Sequence, residues 1–477
     1  MSDRFAENPT KPENSKAYGG LHIVRMAPGD QSISLDFEYY GSDLRDAIKG
    51  EYEIYVEIDD LESGKKIVHA ILPKDASCFQ YTDLRNGRDY KVELKMIDKN
   101  KGDIRARSPV RFFRTGFVPG VVINYIHPED YTYNISGRST CSPSIVRLPD
   151  GRLLASHDIY WGNGGRNLSK VFVSKDNGES WKYLSDVSPC FWGKLFVHND
   201  KLYMLGTSTE YGALLLFCSE DGGKTWSDPA TLLESGGEDK GGPHKAPMPV
   251  VRYNGRLWTA IDYGAWSLGG HASGVASVPE DADIMNGKNW TVTPFLPYDS
   301  GWPGTVKGGN PSLLEGNVVI TPEGELVNIL RYNTKGAIPD YGKAIILKID
   351  KDNPGAPLQF GRVIDFPGNM SKFTVRFDEV SKKYYALVNR VTTKNVSQRN
   401  ILTLTSSTDL LHWKIERDLL NYEDNRWPED DTKVGFQYPD WIFDGDDISA
   451  VSRTAINGAY NYHNANHLTF HRFRNFR

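Results

Sequence analysis

The sequence contains no apolar run long enough to cross a bilayer as a helix, so we expect no membrane-spanning segment. It also lacks an excess of basic residues, since the 477 residues carry a net charge of −5. Proteins that bind a phosphate backbone normally present clustered Lys and Arg, so nucleic acid is not an expected partner. The opening residues, "MSDRFAENPTKPENSK", lack the apolar core of a secretory signal. Localisation therefore stays open between the cytoplasm and secretion after removal of a leader.

Cysteine is scarce, with four residues in the whole chain. Their positions show no spacing typical of a metal site, and nothing in their placement demands a disulfide. We expect reduced, mostly buried thiols, and we expect neither a metal nor a cofactor. The four positions are Cys78, Cys141, Cys190 and Cys218.

Glycine and aromatic residues are abundant, and short alternating runs recur, which predicts an all-β chain. Residues 1–18 are polar and predict a flexible tail. Residues 19–115 contain runs such as "YKVELKMI" that alternate as a half-buried strand does. The segment "TDLRNGRDYKVELKMID", followed by "RSPVRFFRTG", resembles the end of a fibronectin type III domain. That resemblance implies a small β-sandwich over 19–115.

Residues 116–477 contain recurring hairpins, each with two apolar strands and a turn of the Asp-Gly, Asn-Gly or Glu-Gly kind. "PSIVRLPDGRLLASHD" and "NVVITPEGELVNILR" are two of the six copies that we count. Repeats of this length, with three or four strands each, favour a six-bladed β-propeller. A seventh, degenerate blade within 265–310 is an alternative. The segment "GVVINYI" is a candidate to complete the last blade and close the ring.

A second repeat lies inside these units. "FVSKDNGESW" and "FCSEDGGKTW" place Ser, Asp, Gly and Trp at the same spacing, and "TLTSSTDLLHW" is a weaker copy without the glycine. The motif resembles the Asp box, or BNR repeat, of the sialidase superfamily. The Asp can accept main-chain N–H bonds within its turn, the Gly allows a positive φ, and the Trp packs between strands. The resemblance implies a structural element on the rim, away from catalysis.

The same resemblance assigns four residues of the later blades to a site at the propeller axis. "NPSLLEGNVVITPEGELVNILR" is similar to the sialidase segment in which a Glu opens a hairpin and an Arg closes it, which implies Glu315 as partner of the nucleophile and Arg331 as a carboxylate-binding residue. "SQRNILTLTSSTDLLHW" implies Arg399 as a further carboxylate-binding residue. "GFQYPDWIFDGDD" implies Tyr438 as the nucleophile.

The first blade departs from the sialidase pattern. Cys141 stands where sialidases carry an Arg, and the loop "YWGNGGRNLSKVFVS" has no acid where sialidases carry a catalytic Asp. Arg138 and Asp158 are candidate substitutes for those two groups. His157 is a further candidate, because a His of near-neutral pKa is suited to proton transfer. The catalytic candidates are therefore Tyr438, Glu315, His157 and Asp158.

The remaining candidates are polar residues at strand ends that a propeller brings towards its axis. Many charges converging on one cavity favour a charged or polyhydroxyl ligand. A ring of mutual salt bridges is the alternative interpretation. The candidate substrate-binding residues are Arg331, Arg399, Arg453, His244, Lys245, Asn317, Gln437 and Arg138.

These observations predict a carbohydrate-active enzyme with a glycan or oligosaccharide substrate. The first hypothesis is an exo-acting glycoside hydrolase that acts on an acidic or deoxy sugar. The second is a polysaccharide lyase that eliminates across a uronic acid with His, Tyr and Arg. The third is a propeller that binds glycans without catalysis, because a fold does not dictate a function.

Overall fold

The computed structural model describes residues 20–39, 51–425 and 431–477. The predicted N-terminal tail, residues 1–18, lies outside the described residues. Helical structure in the described part is limited to short segments: an α-helix at Tyr422–Asn425 and 3-10 turns at Trp266–Leu268, Gly287–Asn289 and Asp431–Lys433. The all-β prediction is therefore confirmed.

The first eight strands form two sheets that face each other across one apolar core. The alternation predicted for "YKVELKMI" is present, because Val92, Leu94 and Met96 point into this core. The three-stranded sheet, in the order β1-β2-β5, contains β1 (Leu21–Gly29), β2 (Ser32–Tyr39) and β5 (Cys78–Thr82). The second sheet contains β3 (Tyr52–Asp60), β4 (Lys66–Leu72), β6 (Asp89–Asp98), β7 (Ile104–Arg107) and β8 (Arg111–Arg114).

Six further antiparallel sheets follow one another along the chain and form the blades of the propeller. Blade 1 contains β10 (Ser139–Arg147), β11 (Leu153–Tyr160), β12 (Ser169–Ser174) and β13 (Lys182–Val187); blade 2 contains β14 (Phe191–His198), β15 (Lys201–Thr207), β16 (Leu214–Ser219) and β17 (Ala230–Leu233). Blade 3 contains β18 (Gly242–His244), β19 (Val251–Tyr253), β20 (Arg256–Ala265), β21 (Gly270–Pro279) and β22 (Thr291–Val292). The first strands of neighbouring blades contact each other, as β10 does with β14.

Blades 4 to 6 continue the arrangement, and residues 265–310 supply strands of blade 3 and a small ribbon rather than a seventh blade. Blade 4 contains β24 (Ser312–Ile320), β25 (Leu326–Asn333), β27 (Lys343–Ile349) and β28 (Gln359–Asp365), with the ribbon of β23 (Lys307–Gly308) and β26 (Ala337–Ile338) beside it. Blade 5 contains β29 (Thr374–Asp378), β30 (Lys383–Asn389), β31 (Ile401–Ser407) and β32 (Lys414–Asn421). Blade 6 contains β33 (Gly435–Asp444), β34 (Asp447–Ala455), β35 (His467–Phe473) and β9 (Val121–Tyr125).

Blade 6 closes the ring, because β9 pairs with β35 and so joins an early strand to the end of the chain. The predicted closure by "GVVINYI" is confirmed. The same strand anchors the sandwich: Arg25 Nε donates to Ile123 O at 2.7 Å, and Met26 N donates to Asn124 Oδ1 at 3.2 Å.

The hydrophobic core of the propeller is divided into layers between neighbouring blades. Leu154 and Leu195 pack together between blades 1 and 2, for example, and Trp181 and Phe470 pack between blades 1 and 6. Apolar side chains on both faces of each sheet are buried between blades in this way. The polar residues at the ends of the inner strands lie near the axis of the propeller.

The repeated Ser-Asp-Gly-Trp turns link the third and fourth strands of their blades. Gly178 N donates to Ser174 Oγ at 2.8 Å, and Ser180 N donates to Asp176 Oδ1 at 2.9 Å. Gly178 has φ +94°, and Trp181 is buried. Asp221 and Asp409 accept main-chain N–H bonds in the same way in the other two copies. The hydrogen bonding expected from the sequence is therefore present in all three turns.

Candidate active site

Four of the six inner strands contain the same distortion near the axis. Residues Ser142, Trp192, Glu315 and Tyr438 have φ between +47° and +55°, and each is followed by Pro or Gly. The strand register shifts at each of these places. Such bulges redirect a side chain, and non-glycine residues with positive φ are costly and concentrate at functional sites. Two of the four are the predicted nucleophile and its partner.

Tyr438 and Glu315 meet across the axis from blades 6 and 4. Tyr438 Oη donates a hydrogen bond to Glu315 Oε1 at 2.8 Å. Arg331, on β25, donates from Nη1 to Glu315 Oε2 at 2.7 Å and to Tyr438 Oη at 3.2 Å. The structure therefore joins three of the predicted site residues in one hydrogen-bonded group, which we name the Tyr–Glu–Arg group.

Charge and burial set the protonation of this group. Burial alone would raise the pKa of Glu315, but the positive charge of Arg331 and the hydrogen bonds from Arg331 and Tyr438 outweigh burial and lower the pKa. Burial and the negative charge of Glu315 raise the pKa of Tyr438. At neutral pH the tyrosine is thus protonated beside an ionised carboxylate, which is the arrangement of a hydroxyl nucleophile with a base.

Two more predicted arginines surround the tyrosine ring. The guanidinium carbons of Arg399 and Arg453 lie 5.8 Å and 5.4 Å from the ring centroid of Tyr438. Arg399 Nη1 donates to Gln437 Oε1 at 2.6 Å, and Arg453 Nη2 donates to the carbonyl oxygen of His463. Both partners are neutral groups, so the charges of these two arginines are not balanced by them.

The Nε atoms of the three arginines also indicate that these side chains have donors without a partner in the described site. The Nε atoms of Arg331, Arg399 and Arg453 are buried and have no hydrogen-bond partner among the described residues. Cys141, at the position where the sialidase pattern has an Arg, is a buried thiol whose pKa is raised to about 12 by burial, so it adds no cation. The three arginines exceed the single negative charge of Glu315, and an anionic ligand group would balance the remainder.

A pair of histidines forms the wall of the site on the blade 3 side. The rings of His244 and His271 lie 4.1 Å apart, and His244 Nδ1 lies 3.5 Å from Asp262 Oδ2. Burial lowers the pKa of His244 to about 4, and burial raises the pKa of Asp262 well above its usual range. At neutral pH the imidazole of His244 is therefore neutral, and the carboxyl group of Asp262 beside it holds a proton more readily than an ordinary aspartate does. Both histidines interact electrostatically with Glu315.

Asp262 also holds the bulge that presents Glu315. Its Oδ2 atom accepts a hydrogen bond from Glu315 N at 2.7 Å. Asp158 repeats this relation two blades earlier, since its Oδ2 atom accepts from Trp192 N at 2.6 Å. Ser169 Oγ donates to the same carboxyl group, and burial raises the pKa of Asp158 to about 7. The carboxyl group of Asp158 is thus engaged by the main chain of blade 2.

The structure places His157 outside the Tyr–Glu–Arg group. Its Nε2 atom lies 2.9 Å from Asn124 Nδ2, and its Nδ1 atom lies 3.0 Å from Asp158 O. The side chain is fully buried and stacks on Phe172 within blade 1. Because neighbouring strand residues point to opposite faces, His157 and Asp158 face different surroundings.

Three other predicted residues make contacts elsewhere. Asn317 bridges blades 4 and 5, because its amide bonds to Phe373 O at 3.2 Å and to Val375 N at 2.9 Å. Arg138 covers the ring of Tyr131 at 4.0 Å. Lys245 is fully buried, and no acceptor bonds to its Nζ atom in the described part of the chain.

Several residues near the site were missed as substrate-site candidates. His463 packs edge-on against Tyr160 at 5.7 Å, and Tyr160 lies under Arg453 at 5.4 Å. The strand position of Asp262 predicts that it faces the axis but gives it no role, and His271 belongs to no motif. Their placement depends on which face of a distorted strand they occupy, and no local sequence signal reports that.

Two kinds of feature are absent from the described residues, a cluster of metal ligands and a membrane-spanning helix. No group of three or more His, Cys, Asp and Glu side chains there is arranged to hold a metal ion. Among the same residues, no helix has both the length and the apolar character needed to cross a bilayer.

Comparison with solved structures identifies related folds. An α-L-arabinofuranosidase from Fusarium graminearum, in complex with an iminosugar inhibitor, has a TM-score of 0.50 at 12% identity, over 70% of this chain and 93% of that chain. An α-L-arabinanase from Penicillium chrysogenum, complexed with arabinobiose, has a TM-score of 0.48 at 16% identity, over 75% of this chain and 98% of the other. At these identities the likeness concerns the fold.

A leech intramolecular trans-sialidase, complexed with 2,7-anhydro-Neu5Ac, spans more of the chain. It has a TM-score of 0.48 at 10% identity and covers 96% of this chain and 92% of its own. Neither protein-family models nor curated proteins gave a match to the sequence.

Proposed function

We propose that the protein is a glycoside hydrolase that acts through a covalent glycosyl-tyrosine at Tyr438. The observation that carries the proposal is the hydrogen bond of 2.8 Å from Tyr438 Oη to the ionised carboxylate of Glu315. A tyrosine hydroxyl is a weak nucleophile at its ordinary pKa, and an adjacent base activates it. Arg331 fixes that base from its other oxygen. The same fold hosts sugar hydrolysis in the arabinofuranosidase, but the proposal rests on the site residues.

In the first step, Tyr438 Oη forms a bond to the anomeric carbon while Glu315 takes the phenolic proton and the bond to the leaving oxygen breaks. His244 supplies the proton for the leaving oxygen and receives the proton of Asp262 at Nδ1. This relay is supported by the 3.5 Å approach of Asp262 Oδ2 to His244 Nδ1 and by the raised pKa of Asp262. In the second step, water attacks the glycosyl-tyrosine and the protons return. The anomeric configuration is retained after two inversions.

The substrate we propose is a sugar that carries a carboxylate, taken from the non-reducing end of a glycan. Arg331, Arg399 and Arg453 supply more positive charge than Glu315 balances, and their buried Nε atoms have no partner within the described residues. Guanidinium groups bind carboxylates through paired hydrogen bonds. A neutral deoxy sugar would leave these charges uncompensated, so the acidic sugar is favoured over the deoxy sugar.

The proposal gives His157 and Asp158 no part in the chemistry. Both ring nitrogens of His157 have partners inside the protein, and the carboxyl group of Asp158 is held by Trp192 N. The lyase hypothesis needs a His and a Tyr for its two proton transfers, with His157 and Tyr438 as the candidates, and the contacts of His157 do not support its part.

The test is hydrolysis of a panel of 4-methylumbelliferyl glycosides of sialic and uronic acids, with the neutral α-L-arabinofuranoside for comparison, in oxygen-18 water. We expect one acidic glycoside to release a labelled sugar with retained configuration. A fluorinated glycosyl fluoride of that sugar should add its mass to the peptide that contains Tyr438. Tyr438→Phe should abolish both results.

Tyr384→Phe is the matched control, because it removes a phenol that bonds to Ile320 O at the opposite end of the propeller. Unsaturated, unlabelled product would replace the hydrolase with a lyase. Binding of the glycan without turnover would replace it with a glycan-binding propeller.

A further inference from the structure

The residues beyond the bulges place a second set of charges on the propeller axis. Lys194 and Asp440 follow the bulges of blades 2 and 6, Lys245 follows β18, and Lys372 precedes β29. Together with Arg376, these residues form what we name the axial cluster. The three lysines and the aspartate are buried. Their exposed fractions are 3% for Lys194, 0% for Asp440, 1% for Lys245 and 0% for Lys372. None of them belongs to the Tyr–Glu–Arg group.

Asp440 is the only acidic member of the cluster, and both oxygens of its carboxylate accept hydrogen bonds. Lys194 Nζ donates to Oδ2, and Ile145 N donates to the same atom at 2.9 Å. Ser144 Oγ also donates to Oδ2, at 3.2 Å, and Arg376 Nη2 lies 3.4 Å from Oδ1. The carboxylate thus balances the charge of one cation, and the donors that bond to it include neither Lys245 nor Lys372.

The other two lysines have no anionic partner in contact. Lys372 Nζ donates to Thr374 Oγ1 at 2.8 Å and to Pro439 O at 2.7 Å, and both acceptors are neutral. Lys245 Nζ is buried without an acceptor among the residues that the structure describes. Buried donors are nearly always paired, and one that is not requires a water or an ion.

The excess of basic side chains in the axial cluster favours an anion over a water molecule as the partner of Lys245 Nζ. Lys194 and Arg376 contact the one carboxylate of the cluster, and Lys372 interacts with it electrostatically. Lys245 interacts with Lys194 and Lys372, so the basic side chains outnumber the carboxylate. Burial and then the charge of Lys194 lower the pKa of Lys245 to about 7, and an anion in contact with the amine would favour its charged form. A water molecule could accept from Lys245 Nζ but would leave the excess positive charge buried, whereas an anion satisfies both.

The nearby acids do not replace that anion. Asp158 acts electrostatically on Lys245, but its carboxyl group is held by Trp192 N and Ser169 Oγ. Asp262 is similarly bound to Glu315 N. Neither is hydrogen-bonded to Lys245.

We propose that the axial cluster binds a small monovalent anion of the halide class, with Lys245 Nζ as its principal donor. The burial of every lysine in the cluster excludes bulky anions, and a weakly hydrated ion loses least on entering a buried site. Arg376 gives a route of entry, because it contacts Asp440 and also lines a cavity of about 640 Å³ at the end of the axis opposite to Tyr438. The anion ties the inner strands of blades 2, 3, 5 and 6 together.

The experiment is a crystal structure of the protein in bromide, measured at the bromine absorption edge, together with thermal unfolding in bromide or gluconate at equal ionic strength. We expect an anomalous peak in contact with Lys245 Nζ and a Tm higher in bromide by about 2–4 °C. The absence of a peak at Lys245, with equal Tm in both salts, would overturn the proposal and leave Lys245 as a neutral amine.

Variants separate this site from other anion sites. Lys245→Met keeps the length of the side chain without its charge, and we expect it to lose the axial peak and the difference between the two salts. Lys201→Met, a change at an exposed lysine paired with Glu220, should keep both. Arg399→Ala should remove any bromide at the Tyr–Glu–Arg group while the axial peak stays. If Lys245→Met does not fold, the wild-type peak and its salt dependence decide the matter.

Discussion

Asp262 accepts a hydrogen bond of 2.7 Å from the main-chain nitrogen of Glu315, so an aspartate in one blade fixes the backbone of the catalytic candidate in the next. Asp158 does the same for Trp192. The two aspartates occupy equivalent positions in different blades, but only one of them supports a residue of the Tyr–Glu–Arg group. Substitutions of Asp262 and Asp158 therefore separate an effect on the Tyr–Glu–Arg group from an effect on stability alone.

We expect Asp262→Asn to lower kcat by about 10²-fold or more, because it loosens Glu315 and removes the proton that passes to His244. Asp158→Asn should leave kcat unchanged and lower the unfolding free energy by about 1–3 kcal/mol. Steady-state kinetics and urea unfolding of both variants measure the two effects. Equal losses of kcat would show that both aspartates act only through stability.

Removal of Tyr438, the proposed nucleophile, should affect the chemical step rather than binding. We expect Tyr438→Phe to lower kcat by at least about 10³-fold with little change in the Kd of a product sugar. Glu315→Gln should also lower kcat, because the amide cannot take the phenolic proton. Calorimetric binding measures the Kd beside the kinetics. An active Tyr438→Phe enzyme would assign the nucleophile to another group.

The arginines should select for charge on the sugar. We expect Arg399→Ala to raise KM for the acidic glycoside by about 10–100-fold, which corresponds to the loss of a charge-assisted hydrogen bond. The methyl ester of the same glycoside lacks the carboxylate, so its KM should change little between the two enzymes. Arg362, an exposed arginine in blade 4, supplies the control Arg362→Ala. An equal effect on acid and ester would mean that Arg399 contacts some other part of the substrate.

The free energy of unfolding should decrease as the pH is lowered from 6.5 towards 4, and His157 should contribute to this decrease. Burial lowers its pKa from 6.5 to about 4 in the folded protein. Between these values the unfolded chain binds the proton and the folded protein does not, so the unfolding free energy rises with pH by about 1.4 kcal/mol per unit for this residue.

His157→Gln should reduce the slope of the unfolding free energy between pH 4 and 6.5 by that amount. Urea unfolding at several pH values measures it, with the exposed His412→Gln as control. An unchanged slope in His157→Gln would mean that the histidine titrates normally when folded.

The sequence predicts the blades and their turns well because those features are local. Asp176 accepts a hydrogen bond from the main-chain nitrogen of Ser180, four residues away, so the spacing within the motif predicts this bond. Hairpin turns and alternating apolar residues are equally local, and they place β24 with β25 without knowledge of the rest of the chain.

The site is less accessible to the same reasoning, because bulges decide which side chains meet at the axis. Glu315 and Tyr438 were found through a resemblance, whereas alternation along β11 could not tell that Asp158 holds a neighbouring backbone. Asn317 lies just past the register shift of β24, where its amide bridges two blades instead of facing a ligand. His271 was missed because its position depends on packing across three blades.

The pairing of β9 with β35 has a consequence for the order of synthesis. A ribosome makes β9 before any blade is complete, whereas its partner β35 follows all the other described strands of the propeller. The edge of β9 must therefore wait unpaired while nearly the whole propeller is translated. The sandwich, whose strands precede β9, can fold during that wait. Through Arg25 and Met26 it can hold β9 in place until β35 has been made.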